Sequence, residues 1–161
     1  TNECVIIDNG ATSICDYAFE SCSNLTSITI PDSVTDIESR VFENSGLTSI
    51  TIPNNVTNIA AGLFEGCAGL TSITIPGSVL SIEWDAFCAC TGLTSIAIFD
   101  GVATIEDLAF MNCYSLTSVV IPASVTSISD KAFWQCYNLR TLYLPQRFKG
   151  KTCLVARMVV L

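Results

Sequence analysis

Hydrophobic and polar residues alternate in a seven-residue segment that recurs along the chain. The segment LTSITIP occupies residues 25–31, 47–53 and 70–76 without a change. Its Leu and two Ile residues stand at the first, fourth and sixth positions with Thr or Ser between them, as expected of a half-buried strand. Three related segments follow, LTSIAIF, LTSVVIP and LRTLYLP, at residues 93–99, 116–122 and 139–145.

The segment belongs to a longer repeat with strict columns. Five full repeats begin at Leu25, Leu47, Leu70, Leu93 and Leu116; the first has 22 residues and the other four have 23. All five prolines occupy the seventh position, and six of the eight phenylalanines occupy the eighteenth. Proline removes a ladder donor, so it ends the strand. A second extended piece with Val and Ile pointing inward follows it. The segment through Ala86-Phe87 and its equivalents then suits one helical turn.

A single repeat cannot bury its apolar side chains, so stacked repeats must cover one another. We expect an α/β solenoid, a right-handed coil of short parallel strands with short second strands or helical turns on the other face. The solenoid spans residues 1–145, with a partial repeat at 1–24, full repeats over 25–138 and a truncated repeat at 139–145. Residues 146–161 form a cap or a tail.

The repeat L-x-x-I-x-I-P-x-x-V-x-x-I-x-x-x-A-F-x-x-C resembles the BspA-like leucine-rich repeat family over roughly residues 4–145. This resemblance implies a curved solenoid. It also implies display on the surface of bacteria or parasitic protists, where the family binds host proteins or other cells. It implies no catalysis.

The net charge of −8 is unevenly distributed. Residues 1–138 carry −13 and residues 139–161 carry +5. An acidic body disfavours nucleic acid as a partner, because phosphate binding needs a basic surface. No apolar run reaches the roughly 18 residues that a membrane span requires, so membrane insertion is not expected.

The residues that most catalytic and metal sites require are missing or misplaced. The chain has no histidine, which removes Ser-His and Cys-His dyads and the commonest metal ligand. We therefore expect no enzyme, no cofactor and no metal. A cysteine stands three residues after five of the six column Phe residues, and Ser45 takes its place in the short repeat. These cysteines are expected to be buried thiols, namely Cys22, Cys67, Cys90, Cys113 and Cys136. A disulfide between molecules through Cys4 and Cys153 stays open.

Aromatic residues gather in the C-terminal repeats. Met111 and Trp134 follow the column Phe on successive repeats, and Tyr114 and Tyr137 follow the column Cys. Tyr143 is the outward residue of the last main strand. If exposed, these side chains form a partner-binding strip of the composition found at interface hot spots. Alternatively, they cover the end of the core.

Two further patterns concern polar residues. Acidic residues cluster on adjacent repeats, namely Glu83, Asp85, Glu106 and Asp107. A calcium site is one interpretation of this cluster, and a solvated acidic face is the favoured one. Sequons for N-glycosylation stand at Asn24 and Asn55.

We therefore expect a secreted or surface-displayed repeat domain that binds protein, either extracellular matrix or a cell-surface protein. The alternative is a structural protein that assembles head to tail into filaments. The apolar C-terminus could pair with the open first repeat of the next molecule, and this heterologous contact would extend into a filament. We favour a cap, because the terminal repeats of solenoids are atypical.

Overall fold

The structure of the protein, a computed structural model, describes residues 3–149 and 158–160. We call the repeats coil 1 (residues 1–24), coil 2 (25–46), coil 3 (47–69), coil 4 (70–92), coil 5 (93–115) and coil 6 (116–138). The strands in chain order are β1 (Glu3–Ile6), β2 (Ser13–Ile14), β3 (Leu25–Thr29), β4 (Asp36–Ile37), β5 (Asn58–Ile59), β6 (Ser72–Ile75), β7 (Ser81–Ile82), β8 (Ser95–Ile98), β9 (Thr104–Ile105), β10 (Ser118–Val120), β11 (Ser127–Ile128), β12 (Thr141–Leu144) and β13 (Met158–Val160).

The strands form two parallel columns, as the repeat predicts. On the main face, β1 pairs with β3, β6 with β8, and β10 with β12, which also pairs with β13. The two-residue second strands pair as β2–β4 and as β5–β7–β9–β11. Ser72 lies opposite Ser95, one repeat further along the chain. Each residue therefore stacks on its own column, and the solenoid prediction is confirmed.

The core follows the alternation of the main strands. In β6, Ile73 and Ile75 are buried while Ser72 and Thr74 are exposed. Inside the solenoid the column phenylalanines form one continuous stack, with ring centroids 5.0 to 5.7 Å apart and interplanar angles of at most 16°. Stacking of identical rings every 22 or 23 residues is what makes the coils mutually supporting.

The helical turn expected at Ala86-Phe87 is not formed. The segment is a series of tight turns, in which the Cys88 N–H donates to the Asp85 carbonyl at 2.9 Å. Asp85 and Ala89 have left-handed backbone, with φ of 56° and 57°. A right-handed helix cannot include such residues. The described chain holds almost no helix beyond a 3₁₀ turn at Gln146–Phe148, so the α/β part of the prediction is not confirmed.

The turn segments are tied to one another by backbone hydrogen bonds. The N–H groups of Phe64 and Gly66 donate to the carbonyls of Ala86 and Cys88 in the next coil, both at 2.8 Å. Equivalent bonds recur along the stack. The face opposite the main strands is therefore held by turns whose N–H groups point along the solenoid axis.

The main strand column is interrupted on both sides of residues 47–53 and again between β8 and β10, and the second column is interrupted between β4 and β5. Residues 47–53 repeat the LTSITIP of 25–31 and 70–76, yet they form no assigned strand. On the second face, β4 and β5 are not paired. The interruption between coils 2 and 3 follows the one repeat that has 22 residues rather than 23.

At the C-terminal end, β13 pairs in parallel with β12, with Met158 opposite Leu142. Residues 150–157, which include the basic tail residues Lys151 and Arg157, lie outside the described part of the chain. The boundary at residue 145 stays a prediction. No helix in the described residues is long and apolar enough to cross a membrane.

Candidate functional site

Two tyrosines of the predicted strip stack on each other. The rings of Tyr114 and Tyr137 lie 5.8 Å apart between centroids with an interplanar angle of 7°. Both are exposed, Tyr137 by 74%. The Asn138 side chain donates to the Tyr114 carbonyl at 2.7 Å, which links the two coils at this point. The in-register stacking of coils 5 and 6 brings the two rings together.

Trp134 lies on the turn face of coil 6, and its side chain is 48% exposed. The Lys131 ammonium lies 5.4 Å from the centroid of the indole, within cation–π range. Met111, which precedes it in the same column, is only half-buried. The N–H of Asn112 donates to the Trp134 carbonyl at 3.0 Å, so the backbone of coil 5 supports that of coil 6 beside the indole.

Tyr143 is not brought together with the other predicted residues. It lies on β12, opposite Val120 of β10, on the main strand face. It is half-buried, whereas Val120 is exposed. We therefore define the aromatic surface as Tyr114, Trp134 and Tyr137, with Met111 at its edge.

Sequence reasoning missed other exposed aromatic residues. Trp84 is as exposed as Trp134, and Phe99 is 56% exposed. In the sequence, both residues differ from the other members of their repeat columns. Phe99 stands where five other units have Pro, and Trp84 stands where other units have small or polar residues.

The column cysteines carry hydrogen bonds as well as filling space. The thiols of Cys67 and Cys90 donate to the Phe carbonyls of the preceding coils, Phe42 and Phe64, at 3.0 and 3.1 Å. Burial raises the pKa of the Cys67 thiol to about 11, so it stays protonated and unreactive. One expectation is wrong, because Cys22 is exposed; no earlier described coil covers it.

Of the cysteines outside the column, Cys4 and Cys15 are exposed and free, and Cys88 is buried and free. Burial is the main reason that the pKa of Cys88 rises to about 12. Cys153 lies outside the described residues, so a disulfide with Cys4 stays a hypothesis.

Two of the four acidic residues considered for calcium hold hydrogen bonds within the fold. The Glu83 carboxylate accepts from Asn58 at 2.9 Å and from the Ala61 N–H at 3.1 Å. Asp107 accepts from the Ser129 hydroxyl at 2.6 Å. Over residues 3–149 and 158–160, no group of three or more acidic or cysteine side chains converges as a metal site would require.

Asp85 contradicts the expectation of a fully solvated acidic face. Its side chain is only 8% exposed, and Oδ1 has no hydrogen-bond partner. Burial raises the pKa of its carboxyl, while Arg40 opposes the shift. Arg40 itself forms ion pairs with Glu43 and Glu65 at 2.9 and 2.8 Å. This group joins coil 2 to coils 3 and 4 on the turn face.

Both sequon asparagines are exposed. The Asn55 side chain donates to the Asp32 carbonyl at 2.7 Å, which holds the amide against the preceding coil. Glycosylation at Asn24 and Asn55 stays a prediction.

The architecture defines a class, the stacked parallel-strand solenoids built from one repeat. A family model described as the BspA type leucine rich repeat region matches six copies, over residues 2–96 and 59–152. The chain belongs to this family, as its repeat columns predict. No curated protein matches the chain.

Solved structures with the same fold come from several bacteria. A leucine-rich repeat protein from Bacteroides ovatus is 21% identical, with a TM-score of 0.67 over 98% of this chain and 54% of that one. A leucine rich cell surface protein from Faecalibacterium prausnitzii is 28% identical, with a TM-score of 0.50 over 98% and 59%. The T. pallidum leucine rich repeat protein is 23% identical, with a TM-score of 0.62 over 98% and 70%. This chain thus spans little more than half the length of the first two.

Proposed function

We propose that the chain is a non-enzymatic, protein-binding repeat domain that is surface-displayed or secreted and acts in adhesion. The observation that carries the proposal is the aromatic surface on coils 5 and 6. Trp134 and Tyr137 expose large parts of their rings. Tyr114 stacks on Tyr137, and this contact holds the two tyrosine rings in place. Trp and Tyr are enriched at binding hot spots because they bury much area at little entropic cost.

The partner is an extracellular-matrix or cell-surface protein. Membership of the BspA-type family and the description of the Faecalibacterium prausnitzii relative as a cell surface protein support this location. The rigid stack of coils supports it too, since a preorganised surface loses little entropy on binding.

Binding to purified extracellular-matrix proteins and cell-surface ectodomains, measured by biolayer interferometry, tests the proposal. The double variant Trp134→Ala/Tyr137→Ala should weaken binding by more than ~1 kcal/mol. The matched control is Trp84→Ala/Tyr17→Ala, which removes two exposed aromatic rings from other coils and should leave binding unchanged. Circular dichroism checks that each variant is folded. An unfolded Trp134/Tyr137 variant would mean that these rings cover the core, and equal losses in both doubles would count against a specific surface.

The filament is the second candidate, and one observation supports it. Coil 1 leaves Ile6 77% exposed, so an apolar surface is available at this end. The pairing of β13 with β12 favours the cap instead, because it occupies the edge of β12 that faces away from β10. Light scattering and electron microscopy of the chain with and without residues 146–161 separate the two. Filaments that disappear on truncation support assembly, and a monomer that loses stability supports the cap.

A further inference from the structure

A groove of about 570 Å³ lies over the main strand face of coils 3, 4 and 5. It is separate from the aromatic surface, which lies on coils 5 and 6 beyond the column Phe. None of the fourteen residues that line the groove is charged. The chain as a whole carries 15 acidic and 7 basic residues, so the groove is a neutral region of an acidic molecule.

The groove contains a set of hydroxyl groups that the protein does not use. Within the described residues these hydroxyls make no hydrogen bond, although their side chains are exposed; they belong to Ser49, Thr51, Ser72, Thr74 and Ser95. Neighbouring residues on the same segments differ. The hydroxyls of Thr48 and Thr94 donate to carbonyls of the preceding coil at 3.1 and 3.0 Å. The groove hydroxyls are therefore free both to donate and to accept.

The hydroxyls are regularly placed where the strands are paired. Ser72 lies opposite Ser95 in the ladder of β6 and β8. Neighbouring strands lie about 4.8 Å apart, and alternate residues along one strand about 6.8 Å apart. This gives a grid of hydroxyls with a spacing comparable to the size of one sugar ring.

Phe99 adds a flat apolar surface at one end of the groove. It replaces the proline that ends the main strand in five other units, and its ring is more than half exposed. Its N–H donates to the Ile75 carbonyl at 3.1 Å, so the backbone that carries the ring is anchored to coil 4. A ring held in this way can stack on the C–H face of a pyranose.

We propose that this groove binds an uncharged oligosaccharide. Sugars present hydroxyls that donate and accept at their edges and an apolar face between them, which matches the free hydroxyls and Phe99. The acidic body repels polyanionic chains. An extended peptide fits less well, because strand addition needs backbone groups at a sheet edge, whereas the groove lies over the face of β6 and β8, where side chains point outward.

Isothermal titration calorimetry with hexasaccharides of β-glucan, α-glucan, mannan and galactan tests the proposal. Sulfated and uronic-acid oligosaccharides of the same length serve as charged comparisons. The groove variants are Ser72→Ala/Thr74→Val and Phe99→Ala. The matched control is Ser27→Ala/Thr29→Val, which makes the same changes in the same LTSITIP sequence on β3, outside the groove.

At least one neutral hexasaccharide should bind the unaltered chain, and each groove variant should weaken it by roughly tenfold or more. The control, and Trp134→Ala/Tyr137→Ala, should bind as the unaltered chain does. The proposal is overturned if no neutral hexasaccharide binds, if a charged one binds more tightly, or if the control loses as much affinity as the groove variants. It is also overturned if an uncharged extended peptide binds in the groove and no sugar does.

Discussion

Coils 3 and 4 begin with the same seven residues and fold them differently. In coil 4, the LTSITIP at 70–76 contains β6, which is in register with β8 and buries Ile73. In coil 3, the LTSITIP at 47–53 forms no strand, and Ile50 is only half-buried. Strand propensity is identical in the two segments, so the neighbouring coils decide whether the ladder closes.

Coil 3 is preceded by the one short repeat. Coil 2 lacks one residue between Phe42 and Leu47, and Gly46 occupies the tightened turn. A Cβ on Gly46 would collide with the Ser23 carbonyl, whereas at the equivalent Gly69 the nearest atom, the Leu47 carbonyl oxygen, lies 3.2 Å away. A Cβ on Gly92, which ends a full-length repeat, would meet the Ala68 carbonyl in the same way, so the close approach belongs to this corner of the coil and is not confined to the short repeat.

Side chains add to the backbone hydrogen bonds that remain at this junction, such as the one from the Phe42 N–H to the Leu63 carbonyl at 3.0 Å. The Arg40 side chain passes over Gly62 to reach Glu65. A Cβ on Gly62 would lie 2.8 Å from the Arg40 side chain. The Ser45 hydroxyl lies 3.4 Å from the Cys67 thiol, in place of a second column cysteine. We infer that the junction between coils 2 and 3 is less cooperative than the junction between coils 4 and 5, which has a paired ladder on both faces.

The largest expected effect comes from removing one ring of the Phe stack, once within the regular coils and once at the junction between coils 2 and 3. Phe87→Ala should lower the free energy of unfolding by about 3–5 kcal/mol, because the ring is fully buried between two neighbours at 5.2 and 5.3 Å. Phe42→Ala should cost about 1 kcal/mol less, because the looser junction can collapse into the cavity. Urea unfolding measures both. Equal losses would mean that the junction packs as tightly as the regular coils.

The second test adds one methyl group at equivalent turns. Gly46→Ala should cost about 2 kcal/mol, because the new Cβ must push the Ser23 backbone aside. Gly69→Ala serves as its control and should cost less than about 1 kcal/mol. Urea midpoints under identical conditions give the difference. A Gly46→Ala variant as stable as Gly69→Ala would show that the backbone at this corner relaxes freely.

The third test leaves the chain unaltered. Amides of residues 50–52 should exchange with deuterium at least about tenfold faster than those of 73–75, because only the latter segment belongs to a ladder. The two segments have the same sequence, so intrinsic exchange rates cancel. Equal protection, read by NMR or by mass spectrometry of fragments, would refute an open junction.

The smallest expected effect concerns the charges that brace the junction. Arg40→Ala should cost about 0.5–1 kcal/mol at neutral pH, as expected for a partly exposed ion pair. Denaturant midpoints at low and at high salt measure it. A cost that persists in high salt would point to packing over Gly62 instead of charge.

The same group sets a pH dependence. Burial is the main cause that raises the pKa of Glu65 and of Asp85 in the folded protein. Their protonated forms therefore favour folding, and this contribution is present below the ordinary carboxyl range and lost as pH rises through the raised values. Unfolding measured from about pH 4 to 7 should show the decline. The decline should be steeper in Arg40→Ala and shallower in Asp85→Asn; an unchanged slope in Asp85→Asn would contradict the assignment.

Much of the fold and part of the aromatic surface could be predicted from the columns. Residues of one column must stack when parallel repeats of equal length are in register, so the Phe stack and the pairing of Tyr114 with Tyr137 follow from spacing alone. Tyr143 was grouped with them by composition, although its column places it on the strand face. The partner itself stays a prediction, because a repeat specifies a scaffold and exposed side chains specify binding.

The sequence by itself determined the period of the solenoid, the inward columns and the family, because each depends only on which residue recurs at which position. Tertiary structure decided three things. It made the segment around Ala86 a run of turns with Asp85 in left-handed backbone. It exposed Cys22 and buried Asp85, since burial depends on the coil alongside. It left 47–53 without the ladder that 70–76 has, because a strand needs a neighbour at hydrogen-bonding distance, and the same seven residues meet different neighbours in the two coils.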